Sequence, residues 1–516
     1  MQVVQSEQKT PRVDDDMDTK DESAQEQTMT TGDMISIGGV DPALAAKMHI
    51  VNDAINQIGF TTYHTKLFFL NGFGYAVDSL LAFLMSITAG QVALEFQPSY
   101  ARGGTIALYV GLLVGALFWG IGADIMGRKW AFNLSLLIAA VFSIAAGASP
   151  NFITWTSFVA ITGFGAGGNL VLDTTVFLEY LPAKSQWLVT LMAVWWGIGQ
   201  TVAGLLAWAF IPNFSCTSAD DCPRSENMGW RYLYFTSGAL VLCMSIARVT
   251  VIRFHETPKF LVCRGDDEKV VKGLQDLAQK YGRPCDLTVE QLQRHGAVAT
   301  AHSQNLFSFN EIMVHYNGLF ATRKLGISTS LVWLSWTLIG LAYPLFYIFL
   351  PEYLSSRGAQ FGETSAYITW RNYVLAQFSA IFGPLVAGYL CKIPRVGRKY
   401  TMVIGAILTM VFFFAYTSVR NDDQNIAFSC IVSFAINIYY GTLYAYSPEV
   451  LPSGHRATGN GTAVALNRIM GIMSAIVATY ADTSTPVPVY ICAALFAVMA
   501  AVSAIFPYEP QNGQSI

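Results

Sequence analysis

Gly127-Arg128-Lys129 and Gly397-Arg398-Lys399 stand 270 residues apart, and the same spacing separates Glu179-Tyr180-Leu181-Pro182 from Glu449-Val450-Leu451-Pro452. One such recurrence is weak evidence. Two at a common offset read as a duplicated unit, and the length of that unit decides the architecture. The Gly-Arg-Lys copies follow the second and eighth apolar runs of the chain, and the Glu-x-Leu-Pro copies end the fourth and tenth. The repeat is therefore six runs long.

The runs lie at about 67–90, 105–124, 131–148, 152–178, 187–210, 232–253, 326–350, 370–391, 401–419, 426–447, 457–480 and 488–507. Each is close to the roughly 20 residues needed to cross a bilayer. Inside lipid the backbone must satisfy itself, which leaves the helix as the spanning element outside a closed barrel. Composition agrees, with 53% hydrophobic and only 13% charged residues, against about 25% charged in a globular protein. Arg231 and Arg371 interrupt the starts of the sixth and eighth runs. The expected fold is an all-α membrane protein with twelve transmembrane helices in two pseudo-symmetric six-helix bundles, at 67–253 and 326–507. A linker with short helices occupies 254–325. The polar, acidic residues 1–40 read as a disordered cytoplasmic tail, and 508–516 as a second tail.

Loop charge orients the bundle. Arg128, Lys129, Lys184, Lys392, Arg395, Arg398, Lys399 and Arg456 fall in loops on one side, against mainly Arg102, Arg224, Arg357 and Arg420 on the other. The positive-inside rule then puts both termini and the linker in the cytoplasm. That orientation places the loop at about 211–230 outside, where the sequon Asn213-Phe214-Ser215 sits beside Cys216 and Cys222. An extracytoplasmic loop is where a glycan on Asn213 and a disulfide between those cysteines can form. Asp41-Pro42 followed by Ala43, Leu44, Met48 and Ile55 reads as a capped amphipathic helix within 41–66, lying along the inner membrane face. Residues 265–281, acidic early and with Lys280 late, read as a second soluble helix. The seven histidines show no ligand spacing, so no metal is expected. No nucleotide or cofactor motif is present, and a net charge of −3 gives no pull toward nucleic acid.

Gly120-x3-Asp124-x2-Gly127-Arg128-Lys129 resembles the loop motif between the second and third helices of the major facilitator superfamily, and Glu256-Thr257-Pro258-Lys259-Phe260-Leu261 is similar to the sugar-porter-type signature after the sixth. Ile58-Gly59-Phe60, Gly72-x-Gly74-Tyr75-x2-Asp78, Gly163-Phe164-Gly165-Ala166-Gly167-Gly168-Asn169 and Pro448-Glu449-x2-Pro452-x3-Arg456-x2-Gly459 resemble the branch of synaptic-vesicle-glycoprotein-like, niacin and organic-ion transporters. The resemblance covers about 42–507. It implies a substrate site between the two halves near mid-membrane, around which they rock. Departures are informative. Ile125 stands where the loop motif has a basic residue, Pro394 replaces the acid of the second copy, and Gln186 sits where Arg456 sits in the other half. The seventh helix reads Trp333-Leu334-Ser335-Trp336 in place of the glutamines that bind hexoses, which argues against a sugar.

Ionised side chains at mid-membrane cost at least about 2.5–3.5 kcal/mol on insertion scales and need a partner or a purpose. Arg468 in the eleventh run is expected to anchor an anionic substrate through paired hydrogen bonds. Asp78 in the first run is expected to carry the coupled proton, with Asp173 in the fourth as a further candidate. The bland reading is a permanent pair of Arg468 with either acid. Gln200 and Trp196, four apart on one helix face, with Tyr343, Tyr347 and Asn71, are candidates to line the substrate site, although membrane helices also hold aromatics for packing alone. Asp124, Arg128, Glu179, Arg398, Glu449 and Arg456 are expected to form the ion pairs of an inner gate. The expected function is a secondary active transporter, a proton symporter for a small organic acid, in the plasma membrane or alternatively the vacuolar one, acting as a monomer with substrate, protons and lipid as its partners. Rival readings are an organic-cation, drug or sugar transporter of the same fold, and a non-transporting membrane sensor. No Ser/His/Asp or His-metal grouping supports an enzyme.

Overall fold

The structure is a computed structural model that describes residues 42–216, 218, 222–251, 256–296, 309–358, 366–452, 454–480 and 487–510. The expected tail at 1–40, part of the linker, and the side chains of Asp124, Arg128 and Tyr347 lie outside the described residues.

Among those residues the chain is all-helical. After α1 (Pro42–Ile58) the first half runs through α2 (Thr62–Phe96), α3 (Gly103–Met126), α4 (Arg128–Gly147), α5 (Phe152–Tyr180), α6 (Trp187–Leu191), α7 (Val194–Phe210) and α8 (Gly229–Val251). The linker holds α9 (Pro258–Cys263), α10 (Asp267–Lys280), α11 (Val289–Gln293) and α12 (Phe309–Leu319). The second half follows with α13 (Arg323–Gly358), α14 (Ala366–Ser379), α15 (Phe382–Lys392), α16 (Gly397–Tyr416), α17 (Asp422–Val450), α18 (Arg456–Tyr480) and α19 (Val487–Ala504). Ten stretches among the described residues are long and apolar enough to cross a membrane, with α6–α7 and α14–α15 each acting as one broken stretch. The helices α5 and α18 occupy the positions of the expected fourth and eleventh spans.

The duplication is visible in how helices begin and end. Helices α5 and α17 each run 29 residues. Both start from an asparagine in extended conformation: the Asn151 side chain accepts from the Thr154 N–H, and Asn421 from Gln424, each satisfying one orphan donor of the first turn. Both end at a leucine held extended, Leu181 and Leu451, because the proline that follows disfavours helical geometry before it. The two Gly-Arg-Lys turns match as well. Gly127 has φ of 105° and Gly397 of 58°, a region that side-chain-bearing residues rarely enter.

Lys129, Arg398 and Lys399 gather at one end of the bundle, the basic end. The halves touch there, at mid-bundle and, through the rings of Trp208 and Tyr367 at 5.1 Å, toward the opposite end. Where α3 crosses α18, Gly120 meets Gly461 so closely that a Cβ on Gly120 would sit 2.9 Å from the Gly461 Cα. At the other end Cys216 and Cys222 are joined by a disulfide, Cα–Cα 5.6 Å.

The apolar side of α1 is covered by the linker. Val51, Ala54, Ile55 and Ile58 are buried against Val262, Val270, Val271 and Leu274 of the linker, and Lys47 pairs with Asp267 at 2.6 Å out of solvent. Amphipathicity predicts that a helix has a face to hide but does not name what hides it. The start of the expected tail is likewise anchored, since Glu509 accepts from the backbone N–H groups of Arg398 and Lys399, both at 2.9 Å.

Candidate functional site

A cavity of about 480 Å³ lies between the halves. Its floor is at mid-bundle, where Asp78 of α2 and Arg468 of α18 face each other. Met85, Ala89 and Ala93 climb one face of α2 from there to Arg102, so the cavity opens at the end opposite the basic one. Tyr109 of α3, Trp196 of α7, Tyr343 of α13, Tyr373 of α14 and Tyr440 of α17 complete an aromatic wall drawn from both halves. Close backbone approach makes room for these rings. A Cβ on Gly471 would strike the Tyr109 ring at 2.4 Å.

Two buried ion pairs contrast. Arg248 of α8 binds Asp173 of α5 at 2.6 Å, donates to the Phe132 carbonyl and the Asn169 Oδ1 at 3.0 and 3.1 Å, and stacks over the Phe132 ring. This guanidinium ties three helices of one half together, and it lies away from the cavity lining. Arg468 and Asp78 are 3.8 Å apart across the interface between halves, and neither the Asp78 Oδ1 nor the Arg468 Nε has a hydrogen-bond partner among the described residues. A guanidinium with donors to spare beside an empty volume can take two oxygens of an incoming anion.

Toward the basic end the path is shut. Tyr444 packs against Tyr75, Trp196, Trp336 and Tyr440 with ring centroids 4.5–6.0 Å apart, forming a plug beneath Asp78. Further along, Arg456 of the second half lies 3.7 Å from Glu179 of the first, both fully buried. Arg398 binds Glu449 within the second half, one of its bonds at 2.8 Å. Buried Lys259 of α9 lies in the field of Arg456 and Glu179. Burial, with repulsion from Arg456, lowers its pKa to about 7.

Of the residues singled out in the sequence, Asp78, Arg468, Trp196 and Tyr343 meet at the cavity. Gln200 stands behind them and donates to the Tyr343 hydroxyl at 3.3 Å across the two halves, while the rings of Trp196 and Tyr343 stack at 6.0 Å. Asn71 is buried on α2 outside the cavity lining, both polar atoms unpartnered among the described residues. Asp173 is held by Arg248. Asn213 is exposed, its amide donating to the Ala209 carbonyl. Sequence reasoning missed Arg248, Tyr109, Tyr440 and Asn467. The pair Tyr440 and Tyr444, four apart on one helix face, was the available signal.

Two helical bundles around a cavity that is open at one end and closed by packed aromatic rings at the other define a polytopic membrane carrier. The chain belongs to the Major Facilitator Superfamily, whose family model matches residues 67–475 and 325–515, a family of transporters and not of enzymes. It is 43% identical over 94% of both chains to MFS siderochrome iron transporter 1 of Ceriporiopsis subvermispora. It is 28% identical over 83% of this chain and 89% of the other to the niacin transporter NiaP of Acinetobacter baylyi. Among solved structures, the proton:xylose symporter XylE bound to 6-bromo-6-deoxy-D-glucose superposes with a TM-score of 0.65 at 16% identity, covering 88% of this chain and 98% of that one.

Proposed function

We propose that this protein is a twelve-span, proton-coupled symporter of a small organic acid at the cell surface, with its basic end in the cytoplasm and its cavity open outward. The loose Arg468–Asp78 pair at the cavity floor carries the reading. An arriving carboxylate competes with Asp78 for the Arg468 guanidinium. Asp78, deprived of its counter-charge in an apolar site, is then neutralised by a proton, so that substrate and proton load together. The aromatic wall suits a flat acid. Niacin, named in one relative, is a pyridine carboxylate of that kind. Arg456 and Glu179 would part when the cavity opens inward, with Arg398 and Glu449 bracing the second half and Asp124 and Arg128 completing the gate. The tight Arg248–Asp173 contact supports a structural role for Asp173 in this reading.

The test is uptake by reconstituted protein. Arg468→Ala should abolish substrate binding, and Arg468→Lys should weaken it because the two-point contact is lost. Asp78→Asn should keep exchange of bound substrate and lose accumulation driven by a proton gradient. Near-normal anion affinity in Arg468→Ala sinks the proposal. A second reading, an iron chelate as cargo, is favoured by the 43% identity to a siderochrome transporter. Competition of a ferric hydroxamate with a small aromatic acid for the same uptake separates the two.

A further inference from the structure

A second recess, of about 720 Å³, lies outside the transport path, between the basic-end tips of α2, α5 and α8 and the linker helix α10. Its chemistry is cationic. Lys269, Lys272 and Lys280 share the face of α10 that looks into it, and Lys66 of α2 closes the opposite side. Of the two carboxylates lining it, Glu256 reaches toward the Lys129 N–H at 3.4 Å and Asp276 remains, so cations exceed anions. Lys269 spends part of its charge on Asp266 at 3.0 Å. Lys66 and Lys272 have no carboxylate within ion-pair distance among the described residues. The rings of Tyr63, Tyr180 and Tyr281 make one wall, Tyr63 lying 5.4 and 6.5 Å from the other two.

Gly273 supplies an independent observation. It sits inside α10 among the lysines, where glycine costs a helix stability relative to alanine. No packing demands it, because a Cβ there would meet nothing within 4 Å. What glycine preserves at this position is open volume above the lysine face. The recess also adjoins the lipid-facing surface. Phe69, three residues beyond Lys66 on α2, is 48% exposed, and Val249, next to Thr250 at the rim, is 60% exposed. Lysines beside lipid-facing apolar residues match a molecule with an anionic head and acyl tails.

We propose that this recess binds the headgroup of a membrane phospholipid bearing an additional phosphate, of the phosphatidylinositol-phosphate class, and through it fastens the linker to the first half. The volume exceeds what one inorganic phosphate fills and accommodates a phosphorylated ring stacked along the tyrosines. The site is independent of the transported substrate.

Purified full-length protein would be followed by thermal unfolding with dioctanoyl phosphatidylinositol 4-phosphate, dioctanoyl phosphatidylcholine, inositol trisphosphate or inorganic phosphate. The phosphoinositide should raise the melting temperature by several degrees and phosphatidylcholine should not. The free phosphates should need at least tenfold higher concentration for the same shift. Lys66→Glu with Lys272→Glu should abolish the response. Gly273→Leu, which fills the recess and improves helix propensity, should abolish it while leaving the unliganded melting temperature unchanged or higher, so that it decides the matter even where the double variant misfolds. An equal response to phosphatidylcholine, or a Gly273→Leu protein that still responds, overturns the proposal. Inorganic phosphate matching the lipid at equal concentration overturns the lipid assignment.

Discussion

Glu179 and Glu449 occupy twin positions in the duplicated chain, and among the described residues each meets an arginine of the second half. Glu449 is bound inside its own half by Arg398, with one contact at 2.8 Å. Glu179 meets Arg456 across the interface at 3.7 Å. The twin of Arg456 is Gln186, which is buried and uncharged, so the charge of the bridge is not repeated on the other side. Each Gly-Arg-Lys turn is met by an acid: Glu509 accepts from the Arg398 and Lys399 N–H groups at 2.9 Å in the second half, and Glu256 accepts from the Lys129 N–H at 3.4 Å in the first. Duplication delivered the same turns to both halves. Among the described residues, the Arg398–Glu449 pair acts as a brace inside the second half, and the Arg456–Glu179 contact lies between the halves as a latch.

The largest effect should fall on the brace. Glu449→Ala leaves Arg398 buried without its anion, which costs about 3–5 kcal/mol, and the melting temperature of the purified protein should drop accordingly. Replacing both partners by leucine should recover most of the loss. A Glu449→Ala protein that melts with the wild type breaks the distinction between brace and latch.

Lys259, beside the latch, should show itself in pH dependence. Its folded-state pKa is lowered to about 7 from an ordinary 10.5. Between those values the unfolded chain holds a proton that the folded chain lacks. This contribution to stability is therefore complete above pH 10.5, falls as pH drops toward 7, and is flat below, with a slope of at most about 1.4 kcal/mol per pH unit. Lys259→Met should flatten unfolding curves recorded across that window. An unchanged slope in the variant rules the lysine out as its source.

The smallest energies should belong to the latch, and their readout is conformation. Glu179→Gln should shift the population toward opening at the basic end, and Gln186→Arg should do the reverse. A bias on the order of 1 kcal/mol changes a two-state ratio about fivefold. Spin labels at the exposed positions Lys184 and Arg395, one on each half, would report it as a distance change. Identical distance distributions in both variants would show that the latch does not set the equilibrium.

The architecture was largely legible because membrane helices announce themselves by length and apolarity, and because Gly-Arg-Lys and Glu-x-Leu-Pro recur at one offset. A third pair at that offset, Asn151 and Asn421, went unread: an asparagine ahead of an apolar run is too common to notice until both are seen capping equal helices. Asp78 and Arg468 were legible because a charge at mid-span is conspicuous. Arg248 was not, since a cation near the end of a span reads as one that reaches for the headgroups. Here it turns inward to Asp173. The breaks between α6 and α7 and between α14 and α15 escaped for a related reason, as hydropathy is blind to a turn that stays apolar. The cavity wall escaped because a tyrosine in a membrane helix has many reasons to be there, and only the assembled halves show that Tyr109, Tyr343 and Tyr440 share a volume.

The crossing of Gly120 over Gly461 has a mechanical consequence. Most helix contacts are geared, with side chains of one helix seated in hollows of the other, and moving them means lifting each tooth from its socket. At this crossing the surfaces are smooth, backbone against backbone. A half that rolled or slipped on the other would have no rotamer to rearrange at this contact. In the proposed cycle this contact would serve as a plain bearing, with the work of the stroke falling on the latch and the cargo.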